Sequence, residues 1–160
     1  MTSTIETRRP TAGRVDPRGP RFGAAITTAV LAVVLLTLPS VFSGVLLAAQ
    51  TAVFAIAAFV GLRAHPYGVL FRKFVRPRLA PPAELEDEAP PRFAQTVGFG
   101  FAAVGLVALW AGLTPVTYVA VGFAVAAAFL NAAFDFCLGC EVYLLGARLR
   151  HRSAPAIGGH

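Results

Sequence analysis

The chain has 160 residues, enough for one domain, with 56% hydrophobic and 14% charged residues and a formal net charge of +6. Soluble domains carry about 25% charged residues, so this balance excludes an ordinary soluble protein and points to several membrane spans. The positive charge does not indicate nucleic-acid binding, because no aromatic-basic surface accompanies it and Lys and Arg set topology in membrane proteins.

Residues 1–20 hold Arg8, Arg9, Arg14 and Arg18 among Pro and Gly with no apolar period, which predicts a disordered basic tail. Arg8-Arg9 lacks the apolar consensus of a twin-arginine export signal, and the apolar run that follows leads into further spans. A membrane-crossing helix needs about 20 apolar residues. Four runs meet this, over residues 22–38, 44–62, 93–113 and 116–136 or longer, broken at Pro39-Ser40 and Thr114-Pro115. The fold class is therefore all-α and polytopic: two hairpins in a membrane domain of residues 21–148, then a disordered tail, 149–160.

All 14 Lys and Arg precede span one, lie between spans two and three, or follow span four. None falls in a hairpin tip. The positive-inside rule then puts both termini and the central loop, 63–92, in the cytoplasm of a multi-pass protein of the cell (plasma) membrane, in contact with the lipid bilayer.

Within that loop, Val69, Leu70, Phe71, Phe74 and Val75 alternate at helical spacing with Arg72, Lys73 and Arg76. This fits a helix in the headgroup region or an extension of span two. Residues 81–91 form an acidic, Pro-rich linker, read as a solvated spacer or a docking patch for a basic partner. Pro20-Arg21-Phe22 is echoed by Pro91-Arg92-Phe93, as parallel repeats would require. An arginine before an apolar run is also the default at a cytoplasmic helix start, and that is the simpler reading. Gly98, Gly100, Ala102 and Gly105, with Ala124, Ala126, Ala127, Ala128, Ala132 and Ala133, suit close packing between spans. Trp110 suits an interfacial anchor, and Gln50 an interhelical hydrogen bond.

Chemistry concentrates in Phe134-Asp135-Phe136-Cys137-Leu138-Gly139-Cys140-Glu141, which holds both cysteines of the chain. Cys-x-x-Cys is the spacing of a dithiol that cycles with a disulfide. If span four continues as one helix, Cys137, Cys140 and Glu141 share a stripe, and Asp135 shares a face with Asn131. The pair then lies late in a helix, where the dipole opposes a thiolate. Glu141 would accept the proton, and Asp135 would position the helix end, pair with Arg63 or Arg92, or move protons. Two other readings stand: cysteines that merely pack, or half of a zinc site completed by His65, Glu141 or a second subunit. No other cofactor is implied, and no dinucleotide fingerprint, phosphate loop or hydrolytic triad is present.

Arg92-Phe93-Ala94-Gln95, Cys137-Leu138-Gly139-Cys140-Glu141-Val142-Tyr143 and the loop His65-Pro66-Tyr67-Gly68-Val69-Leu70-Phe71 with Arg76-Pro77-Arg78-Leu79 resemble an actinobacterial membrane family, domain of unknown function 4395. The resemblance runs from about Asp16 to Arg148. It implies a multi-span membrane protein, and a thioredoxin-like or sulfurtransferase partner. It also leads one to expect an Asn-Gln pair after Arg21-Phe22, where this chain has Gly23-Ala24-Ala25, leaving Gln95 alone.

Together these features predict thiol-disulfide or sulfur-transfer chemistry at the cytoplasmic face, with a resting dithiol because the cytosol is reducing. The alternatives are a non-enzymatic membrane subunit that binds a soluble partner, and a small transporter of sulfur compounds lined by Asp135, Asn131 and Gln50.

Overall fold

The computed structural model describes residues 13–152, with side chains through Arg150. Of the tails expected at residues 1–20 and 149–160, residues 1–12 and 153–160 lie outside them, and residues 149–152 continue a helix. Helix α1 spans Arg18–Thr37 and α2 spans Val41–Ala55, continued by a wider turn over Ile56–Val60. Short α3 covers Pro66–Leu70, α4 Ala89–Trp110, α5 Thr114–Phe134 and α6 Leu138–Arg152. Four of these, Arg18–Thr37, Val41–Val60, Ala89–Trp110 and Thr114–Phe134, are long and apolar enough to cross a membrane. This is an all-α polytopic membrane protein.

The tips of the two hairpins fall at Pro39 and at Gly112-Leu113, where proline and glycine end the helical pattern. Ser40 caps α2 by accepting the Ser43 N–H at 3.1 Å. Gly61 ends the second span at φ 124°, a conformation that L side chains rarely adopt, and separates α2 from α3. The loop helix is therefore a separate element and not an extension of span two. Its Phe71 is buried against Gly19 and the Phe22 ring, while Val69, Leu70 and Phe74 stay exposed beside Arg72 and Lys73.

Leu31, Val34, Leu47, Phe54, Ala102, Val121 and Ala124 form the core where α1, α2, α4 and α5 meet. Lipid gives helices no hydrophobic drive to associate, so close approach of small residues and interhelical hydrogen bonds hold the bundle. A Cβ on Gly105 would stand 3.1 Å from Val121, and the Gly105 carbonyl accepts the Thr117 hydroxyl at 3.1 Å. Gly98 leaves room for the Phe54 ring. Gly100, Ala126 and Ala133, in contrast, face outward. Gln50, 1% exposed, accepts the Tyr67 hydroxyl at 2.7 Å and reaches Thr27 at 3.5 Å, tying α2 to α3 and α1.

The two hairpins also clasp each other. Arg21 Nε donates to the Ala132 carbonyl at 3.1 Å, while Arg92 Nε and Nη2 donate to the Ala58 and Phe59 carbonyls at 2.8 and 3.1 Å. The arginine that opens each hairpin thus satisfies the orphan carbonyls at the exit of the other, where positive charge also suits the helix dipole. That reciprocity gives the Pro-Arg-Phe echo a structural reason beyond topology. At the same end, Arg14–Val15 (β1) pairs antiparallel with Glu86–Asp87 (β2). Arg18 binds Asp16 and the Ala80 carbonyl. Order therefore begins before Arg21, and part of the acidic linker is a strand partner for the N-terminal segment.

Candidate functional site at the arginine-rich end

Helix α5 does not run on through the cysteines. Asp135 adopts the left-handed conformation, φ 58°, and its N–H returns to the Asn131 carbonyl at 3.1 Å. The Phe136 N–H reaches the Leu130 carbonyl at 3.3 Å, completing the cap. Asp is among the few residues besides glycine that tolerate this geometry. The expectation of one continuous helix is corrected here: a new helix, α6, starts at Leu138.

Cys137 stands immediately before α6 and caps it. Its carbonyl accepts the Glu141 N–H at 3.0 Å, and its Sγ accepts the Cys140 N–H at 3.3 Å. The helix field at this sulfur is therefore opposite in sign to the one expected. It favours a thiolate at Cys137. Cys137 and Cys140 lie in disulfide contact with Cα atoms 5.2 Å apart, so the oxidised pair fits this turn. Glu141 is exposed in the first turn of α6, where a carboxylate suits the dipole. Asp135 is exposed at the cap, and Arg92 is engaged by carbonyls instead of by it.

Gly139 fixes where this turn sits. A Cβ there would meet both Cα and Cβ of Ala94 at 2.6 Å, so α6 rests directly on the first turns of α4. Beside it, an apolar cavity of about 390 Å³ opens between α1, α4, α5 and α6. Cys137, Gly139, Gln95, Asn131, Thr27 and Phe54 are among its lining residues. A second cavity of about 370 Å³ lies on the other side of Gln95, lined by Arg14, Arg63, Arg72, Arg76, Asp16 and His65 among others. Gln95 belongs to both walls, and its Oε1 is buried without a hydrogen-bond partner.

A family model described as Domain of unknown function (DUF4395) matches residues 15–148. The chain belongs to the DUF4395 family. Comparisons with curated proteins and with solved structures return no match. The DUF4395 match encloses both arginine caps, Gln95 and the cysteine turn.

In this DUF4395 chain the structure brings Cys137, Cys140 and Glu141 together on one turn and leaves Asp135 at its edge. Asn131 lines the apolar cavity, whereas Gln50 is spent on Tyr67 and Thr27, so Gln50, Asn131 and Asp135 do not line one passage. Among the described residues no three His, Cys, Asp or Glu gather as a metal-ligand set. His65 faces the other cavity, with Gln95 between. Sequence reasoning gave Gln95 only by resemblance and missed the cavity role of Arg14, Arg72 and Arg76. Their signal was a basic cluster, which topology alone accounts for equally well.

Proposed function

We propose that this DUF4395 protein exchanges a disulfide with a protein dithiol at its arginine-rich face, which the positive-inside rule assigns to the cytoplasm of the plasma membrane. The observation that carries the reading is Cys137 capping α6, with its sulfur receiving the Cys140 N–H. In the reduced state the helix N-terminus stabilises the Cys137 thiolate, making it the attacking sulfur. It attacks a partner disulfide, forming a mixed disulfide and releasing one partner thiolate. Cys140, its proton passing to water or the exposed Glu141, then attacks Cys137 and releases the second partner thiolate. The partner gains two electrons and two protons, and the Cys137–Cys140 pair becomes a disulfide. The reverse sequence resets it. A thioredoxin-like protein is the partner class that this chemistry fits.

The test is trapping. The Cys140→Ser variant, incubated with an oxidised thioredoxin-like protein, should accumulate a mixed disulfide through Cys137, identified by mass spectrometry. Cys137→Ser should not accumulate one. Absence of any adduct with Cys140→Ser, in protein that folds as wild type, would reject the proposal.

A further inference from the structure

The second cavity carries an inference independent of the thiol reading. Its walls gather Arg14, Arg63, Arg72 and Arg76 against a single acid, Asp16. That acid is already engaged: Arg18 Nε and Nη2 hold its two oxygens at 3.0 and 3.1 Å, and the Arg18 N–H adds a third bond at 3.1 Å. Burial alone would raise the Asp16 carboxyl, but these bonds hold it below its ordinary value, so it stays ionised and paired. The cavity is left with a net positive wall.

Two features mark it as a built site. His65 is 5% exposed, lines the cavity, and its Nε2 has no hydrogen-bond partner. A buried polar nitrogen without a partner is destabilising, and a ligand atom bonded to it would relieve that cost. Arg72 is anchored to the backbone on one side, where its Nη2 donates to the Arg63 carbonyl at 2.6 Å. Such preorganised forks bind tetrahedral oxyanions through paired N–H groups. At about 370 Å³ the cavity is in the range of small-ligand sites.

We infer that this cavity binds a phosphate-type oxyanion, with Arg72 and Arg76 as its chief charge partners, Arg14 at its rim and His65 Nε2 as a neutral donor. The oxyanion is either free or the headgroup of an anionic lipid, because the cavity lies at the end of the bundle where headgroups meet the protein.

The test uses the full chain in neutral detergent. Its thermal midpoint is followed against sodium phosphate, with sodium chloride at matched ionic strength, and separately against phosphatidylglycerol with phosphatidylcholine as control. Saturable stabilisation by phosphate supports a free oxyanion; stabilisation by phosphatidylglycerol alone supports a headgroup. In either arm Arg72→Gln/Arg76→Gln should weaken the apparent affinity roughly tenfold or more, and Arg148→Gln, outside the cavity, should leave it unchanged. Should the double variant fold poorly, Arg76→Gln, whose side chain is exposed, gives the same readout with a smaller shift. No response of the wild type beyond the matched controls, or an undiminished response in the variants, would overturn the inference.

Discussion

Replacing Gly139 by alanine tests the seat of the cysteine turn. The added methyl would stand 2.6 Å from both Cα and Cβ of Ala94, one of them backbone that cannot swing aside. Ordinary carbon contacts lie at about 3.5–4.0 Å, so α6 must retreat from α4 by about 1 Å. Overpacking of this kind costs about 1–3 kcal/mol. Alanine returns up to about 1 kcal/mol of helix propensity, and with that gain in full the net effect is a loss of up to about 2 kcal/mol. Gly146 supplies the internal control. It lies in the same helix, and a Cβ there meets nothing within 4 Å. Gly146→Ala should therefore stabilise by up to about 1 kcal/mol. Thermal unfolding in detergent, with the rate of disulfide reduction by a water-soluble phosphine, reads both variants. Gly139→Ala should unfold earlier and be reduced faster than wild type, and Gly146→Ala should do neither. Equal or greater stability of Gly139→Ala relative to Gly146→Ala would refute the packing argument.

Three further outcomes are expected. Arg92→Lys keeps the charge but loses the two-pronged grip on Ala58 and Phe59, and should cost about 1–2 kcal/mol in thermal unfolding; Arg21→Lys, with one such bond, should cost less. A double-mutant cycle between Gln50→Leu and Tyr67→Phe should give a coupling of about 0.5–1.5 kcal/mol, and additivity would remove the interhelical bond from the account. Burial, helped by the Arg72 charge, pushes His65 down to about 4, below its ordinary 6.5. Between those values the unfolded chain binds more protons, so stability should be full above about pH 6.5 and fall on acidification toward pH 4, by a few kcal/mol at most. His65→Gln should flatten that window in a pH series of thermal midpoints.

The membrane architecture was legible because hydrocarbon thickness, proline breaks and arginine placement are each recorded in the linear sequence. Starts and ends moved by a few residues, with α1 beginning at Arg18 and α4 at Ala89. The cysteine turn was legible only in composition. A stretch with no Gly or Pro between Phe123 and Leu138 reads as one helix, and the stop at Asp135 depends on a backbone conformation that Asp tolerates without announcing it. That single residue reverses the electrostatics at Cys137. The oxyanion cavity was hidden for another reason. Arg14 lies before α1, far in the chain from His65, Arg72 and Arg76 of the central loop, and only the fold of that loop over α1 brings it to them.

The central claim is that Cys137 is the activated sulfur of a redox pair. Its most direct measurement is pulse alkylation of the reduced, purified full chain across a pH series, read at each cysteine by mass spectrometry and repeated after exposure to an oxidised protein dithiol. The account predicts that Cys137 alkylates at lower pH than Cys140, and that oxidation protects both through an internal disulfide. Equal alkylation profiles for the two cysteines, with no disulfide formed on oxidation, would contradict it.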